Sequence, residues 1–136
     1  MTRDELQAII KDGDAKKTVE VAEDLGNALA NRYRLSTNQI RNIFGTVRRI
    51  EMSWPDKEGD LDEDQAHAAQ QARRELQLLK PKMAYQAKRE RGQGVKTLTD
   101  ILTDAIDMIE GDRTRFQNFV DFFEATLAYH KAKGGR

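Results

Sequence analysis

The chain has 136 residues and no cysteine, and its 23 Lys and Arg residues balance its 23 Asp and Glu residues, so its formal net charge is zero. The length allows one domain with a substantial core, and the lack of cysteine excludes disulfides and thiolate metal sites. No apolar run approaches the roughly 18 residues of a membrane span, and no signal-peptide core begins the chain, so we expect a cytoplasmic protein.

The charge is unevenly distributed along the chain. Residues 37–53 contain three bases and one acid, and residues 80–96 contain six bases and one acid. Acids predominate in residues 54–79 and 97–130. The neutral average therefore conceals two basic segments that suit an anionic partner.

Helical periodicity without strand alternation predicts an all-α fold, a compact five- to six-helix bundle in a single domain of residues 1–136. The first predicted helix covers residues 3–11. Asp14 is a suitable N-cap for the second, at residues 15–35. Its predicted inward face contains Val19, Ala22, Leu25, Leu29 and Tyr33.

The third predicted helix, residues 37–53, has two contrasting faces. Ser36 and Gln39 form a capping-box pattern, and Trp54-Pro55 ends the helix. Gly45 costs about 1 kcal/mol of helix propensity relative to Ala and leaves room for another backbone. The apolar face contains Ile40, Ile43, Phe44, Val47 and Ile50, and the outer face contains Asn38, Arg41, Asn42, Gly45, Arg48 and Arg49.

We predict an acidic loop at residues 56–64. The apolar periodicity of the second half of the chain predicts further helices after it. One helix covers residues 62–80, with Ala69, Ala72, Leu76 and Leu79 inward, and Pro81 either starts a short helix or kinks one long helix. After Gly92-Gln93-Gly94, helices follow at residues 95–110 and 113–132, and we expect a frayed tail at residues 133–136. The last helix has a core stripe of Phe116, Phe119, Val120, Phe123 and Leu127, with Phe122 and Tyr129 on a different face.

No pattern in the sequence predicts catalysis. His67 and His130 lack partners at metal-ligand spacing, and we expect His67 at the surface and His130 to complement a helix C-terminus. Gly92 and Gly94 lack the context of a phosphate-binding loop. We therefore expect no catalytic residue, metal or cofactor; a helical metalloenzyme is a minor alternative.

The second basic segment, residues 80–96, combines cationic side chains with one aromatic residue, Tyr85. Lys82, Tyr85 and Arg89 share one helical face, where cations suit phosphates and Tyr suits base stacking. Two other interpretations remain open. Tyr85 is partly core and the cations are simply solvated, or Arg41 and Arg48 pair with the acids of residues 56–64.

Three blocks in this order resemble the small subunit of the type III-A (Csm-type) CRISPR interference complex. They are Leu35–Asn42, Tyr85–Arg89 with the amphipathic Val95–Ile109, and Phe119–Tyr129 with Gly134-Gly135. The resemblance implies a helical bundle without nuclease activity, of which several copies stack along the backbone subunits and help hold target RNA on the guide. The resemblance matches Arg41 to a basic helix position of the family, and Tyr85 and Arg89 to its second motif. Ser36 and Asn42 match the surrounding polar positions. Gln39 departs from it, because some relatives have Lys there.

The residues and the resemblance together predict a non-catalytic, sequence-independent RNA-binding subunit. Its partners would be target RNA and guide RNA, the backbone and large subunits of the complex, and copies of itself, with no membrane. The alternative is a helical scaffold without RNA contact, whose partner interface contains Phe122 and Tyr129. Copy number, the state of the free protein, the strand contacted and the docking face stay open. The predicted RNA-binding residues are Asn38, Arg41, Arg48, Arg49, Lys80, Lys82, Tyr85 and Arg89.

Overall fold

A computed structural model describes residues 1–57 and 59–136. In these ranges the chain forms α-helices and one π-helical turn, and no β-strand. This confirms the predicted all-α bundle. No helix in the described ranges is long and apolar enough to cross a membrane. The elements are α1 (Arg3–Ile10), α2 (Ala15–Asn27), the π turn (Ala28–Arg32), α3 (Thr37–Ser53), α4 (Glu63–Arg89), α5 (Gly94–Ile109) and α6 (Arg113–Ala132).

Side-chain caps define where most of the helices begin. Asp14 accepts a hydrogen bond from the backbone N–H of Lys17 at the start of α2. At the start of α3, the predicted capping box is confirmed, because Ser36 and Gln39 satisfy each other's backbone N–H groups. These bonds serve N–H groups that have no partner inside a helix. Trp54 is extended and ends α3 before Pro55, as predicted.

The helix α4 runs without interruption through Pro81. Of the two arrangements considered for this proline, one long helix is therefore correct. Pro81 is exposed, so its ring faces outward and the backbone bond that it cannot donate is lost on the solvent side.

The second helix differs from its predicted length and face. It ends at Asn27, and the π turn follows, in which the Tyr33 N–H donates to the Ala28 carbonyl over 2.9 Å. The extra residue of a π turn changes the direction of the side chains that follow it. The inward prediction for Val19 is wrong: its side chain is 48% exposed, because the buried stripe of α2 centres on Val21, Ala22 and Leu25.

The helix α3 lies between α4 and α6 and runs antiparallel to both. Near the start of α3, Gln86 Nε2 donates to the Gln39 carbonyl over 3.0 Å. Near its end, the Arg73 guanidinium lies 5.5 Å from the centre of the Trp54 ring. On the other side, the Phe44 ring packs edge-on against Phe123 of α6, with 5.1 Å between the ring centres. The remaining large core side chains include Ile40, Ile50, Leu76, Met83, Phe116 and Phe119, all fully buried.

The tail after α6 is not frayed, contrary to expectation. Gly135 is buried, and its N–H donates to the His130 carbonyl over 2.8 Å. The Thr37 N–H donates to the Arg136 carbonyl. His130 is buried as well, and its ring donates through Nε2 to the Leu35 carbonyl over 2.6 Å. His130 lies in the last turn of α6, near the helix C-terminus as expected, and its ring in addition joins α6 to the segment that precedes α3.

Candidate nucleic-acid interface

The outer face of α3 is open to solvent along its length. Asn38, Arg41, Asn42, Gly45 and Arg49 are exposed, and the predicted apolar stripe on the opposite side is buried except for Phe44, which is half-buried. A Cβ built on Gly45 would meet no atom within 4 Å. The helix therefore presents amides and guanidiniums around a stretch of uncovered backbone.

Arg41 and Arg48 are both exposed but differ in their surroundings. The Arg41 side chain makes no hydrogen bond or ion pair with any residue that the structure describes. In contrast, Arg48 Nη1 lies 2.6 Å from Glu51 Oε1 and 4.0 Å from Glu124 Oε2. Arg48 therefore pairs within α3 and with α6, and in the described ranges neither arginine pairs with the acidic loop. Of these two arginines, Arg41 is the one whose guanidinium has no partner among the described residues.

The predicted face of α4 is present on its last turns. Lys82, Tyr85 and Arg89 are exposed, and the Arg89 guanidinium lies 5.7 Å from the centre of the Tyr85 ring. The Tyr85 side chain is 67% exposed, so the interpretation that it belongs partly to the core is wrong. An aromatic ring thus lies in solvent beside two cations.

Lys80 departs from the predicted set. It is half-buried, and its Nζ lies 2.5 Å from Asp107 Oδ1 of α5. Lys80 therefore faces α5, whereas Gln86 turns toward α3. One helix presents different sides to two neighbours, and Lys80 lies away from the face of Lys82 and Tyr85.

The α3 and α4 faces adjoin at one end of the bundle. Gln39 Nε2 donates to Glu90 Oε2 over 3.0 Å, and the same amide accepts from the Ser36 N–H through Oε1. The Gln39 side-chain amide is therefore occupied within the protein.

This end of the bundle, which we call the basic end, gathers residues 31–38, 85–96 and 130–136. These segments contain nine basic residues and one acidic residue. Their proximity follows from the His130–Leu35 bond and from Gly94, whose added Cβ would lie 3.1 Å from the Leu35 side chain. Arg34, Arg91 and Arg136 are not among the RNA-binding residues predicted from the sequence, because the segments that carry them are distant from one another along the chain.

The opposite end, which we call the acidic end, gathers residues 11–14, 54–57, 59–64 and 107–113. These segments contain ten acidic and three basic residues. Arg113 Nε donates to the Trp54 carbonyl over 3.3 Å, and Lys11 Nζ lies 3.9 Å from Glu110 Oε1. The neutral chain is therefore polarised along the bundle axis.

Phe122, predicted on an outward partner face with Tyr129, has an exposure of 0%. That placement is wrong, because α6 packs against α1, α2, α3 and α5, and few of its positions face solvent. Tyr129 is half-buried, with its Cβ next to Gly26 of α2.

The described residues contain no group of three His, Cys, Asp or Glu side chains that could hold a metal ion. The fold and its surface thus define a helical bundle with a basic end and an exposed cationic face beside it. A family model for Csm2 Type III-A matches residues 12–136, nearly the whole chain. The chain belongs to this family and is a small subunit of a type III-A CRISPR complex. No curated protein and no solved structure matches it.

Proposed function

We propose that this small subunit is a non-catalytic protein that binds the phosphates of target RNA paired with the guide, independently of sequence. The observation that carries the proposal is Arg41, an exposed guanidinium with no partner among residues 1–57 and 59–136, on an open helical face that adjoins Lys82, Tyr85 and Arg89. An arginine held by no carboxylate can donate two parallel hydrogen bonds to a phosphate at no cost in broken ion pairs.

The composition of this surface favours contact with the RNA backbone over base reading. Its cations suit phosphates, which are common to every sequence. Tyr85 adds a ring on which any base can stack, since each base has a π face. A subunit that serves many guides requires this tolerance.

The matched pair Arg41→Ala and Arg48→Ala tests the proposal. Both variants remove one exposed arginine from α3, but Arg48 must release Glu51 before it binds phosphate. We expect Arg41→Ala to weaken binding of unrelated RNAs equally and, for single strands, to reduce the magnitude of the slope of log K against log salt by about 0.7, with a smaller change for Arg48→Ala. Fluorescence anisotropy of the assembled complex over a salt series measures both quantities.

Arg3→Ala is the control, because Arg3 is exposed on α1 and lies outside the α3 and α4 faces. Equal losses for Arg3 and Arg41 would indicate a general charge effect. An unchanged affinity and slope in Arg41→Ala would contradict RNA binding by this face and would favour the scaffold without RNA contact.

We also propose that copies of the subunit stack end to end, in contact with the backbone and large subunits. The opposite charges of the basic and acidic ends support this arrangement, since complementary charges favour one orientation of contact. Sedimentation velocity should show association that weakens as salt increases. Association that is absent at low salt, or that strengthens with salt, would oppose stacking through the charged ends.

A further inference from the structure

A cavity of about 440 Å³ opens at the basic end, where α3 begins. Arg34, Ser36 and Arg136 line it, and no acidic side chain does. Neither arginine uses its guanidinium in a hydrogen bond or ion pair within the described ranges. The groove between α4 and α5 differs, because Lys80 and Lys96 there are paired with aspartates.

The backbone holds both arginines in place. Arg34 has a left-handed φ of 51°, and the next residue is fixed on both sides: the Leu35 N–H donates to the Leu29 carbonyl over 2.8 Å, and the Leu35 carbonyl accepts from His130. The Arg136 carbonyl accepts from the Thr37 N–H. The cavity is therefore lined by two cations whose main chains are already ordered, which lowers the entropy cost of binding a ligand.

Two further features of this end suit an anion. The 17-residue helix α3 begins at the cavity, so the positive end of its dipole points there, while its Thr37 and Gln39 N–H groups are bonded to the Arg136 carbonyl and the Ser36 hydroxyl. The Thr37 Oγ1 atom is buried and has no hydrogen-bond partner among the described residues. Thr37 itself does not line the cavity, but it follows the lining residue Ser36, and its N–H is bonded to the lining residue Arg136.

We propose that this cavity binds one phosphate group. The group comes either from free phosphate or from an RNA strand. Binding of free phosphate does not depend on the proposed function, because the cavity residues Arg34 and Arg136 are separate from the face that contains Arg41. With RNA as the source, the cavity adds a phosphate contact at the basic end.

The test is a titration of the full chain with inorganic phosphate, followed by amide NMR, against chloride at the same ionic strength. We expect saturable shifts at the amides of residues 34–38 and 134–136. Arg34→Asn, which keeps a residue tolerant of positive φ, and Arg136→Ala should each weaken the affinity about tenfold or more, as expected for lost charge-assisted bonds. Arg32→Asn is the matched control, since Arg32 is exposed two residues away and does not line the cavity.

Shifts that do not saturate, or that chloride reproduces, would overturn the proposal. An equal loss in Arg32→Asn would do so too. A single-stranded RNA added to the phosphate-saturated protein then identifies the source. Displacement of the phosphate indicates an RNA phosphate, and coexistence indicates free phosphate. Because this readout is separate from the Arg41 salt series, failure of the cavity and failure of the α3 face are distinguishable.

Discussion

Gly26 and Gly45 both lie inside helices but in opposite surroundings. At Gly26 of α2, an added Cβ would lie 2.7 Å from the backbone nitrogen of His130 and 2.7 Å from the Tyr129 Cβ, both in α6. At Gly45 of α3, an added Cβ would meet nothing within 4 Å. The first glycine allows two helices to touch, whereas no contact with the residues that the structure describes requires the second.

The comparison separates two uses of the same residue. Glycine inside a helix costs roughly 0.5–1 kcal/mol relative to alanine. At Gly26 the close packing of α2 on α6 offsets this cost. At Gly45 no packing contact with the described residues offsets this cost. A glycine at this position would be explained by close contact with a partner molecule.

The largest effect is expected for Gly26→Ala. The atoms that the new methyl would meet include the His130 nitrogen and the Thr126 carbonyl oxygen, which belong to the backbone and cannot move aside cheaply. We expect the free energy of unfolding to fall by about 1–3 kcal/mol or more, measured by urea denaturation. A stability within about 0.5 kcal/mol of the parent would show that α2 and α6 are less closely packed than described.

His130→Phe should come next. The ring volume is roughly kept, but the buried Leu35 carbonyl loses its donor, so we expect a loss of about 1–3 kcal/mol in the same assay. The matched variant His67→Phe, at an exposed position of α4, should leave stability nearly unchanged. Equal effects at both positions would contradict a structural role for the His130 bond.

Gly45→Ala should act in the opposite direction from Gly26→Ala. We expect the free protein to become more stable by about 0.5–1 kcal/mol, because the methyl enters open space and the helix propensity improves. RNA affinity of the assembled complex should fall at the same time if a backbone approaches this glycine. Higher stability with unchanged affinity would remove Gly45 from the contact surface.

The smallest effect concerns Lys80 and Lys82. Lys80→Met breaks a partly exposed pair with Asp107 and should cost about 0.2–1 kcal/mol, while Lys82→Met should cost nearly nothing. Lys82→Met should weaken RNA binding more than Lys80→Met, because Lys82 and not Lys80 shares the exposed face with Tyr85. A larger RNA effect for Lys80 would place the interface on the α5 side of α4.

Local patterns predicted the helices well and the sides of some helices poorly. The capping box at Ser36 and the apolar stripe of α3 depend on residues within one or two turns, so the sequence shows them directly. The burial of Phe122 depends on how many helices surround α6. The packed tail depends on a bond between His130 and Leu35, which are 95 positions apart. Arg34 and Arg136 line one cavity because the C-terminal tail packs against the segment before α3. Helical periodicity carries no information about this long-range contact.

The separation of the two charged ends gives the molecule an electric dipole moment at zero net charge. A uniform field exerts no net force on such a particle but turns it. Near a polyanion, the subunit should therefore rotate its basic end forward before any side chain touches the partner. This pre-alignment extends only about one Debye length, roughly 8 Å at physiological ionic strength, so salt should slow productive encounters even where it leaves the final contacts intact.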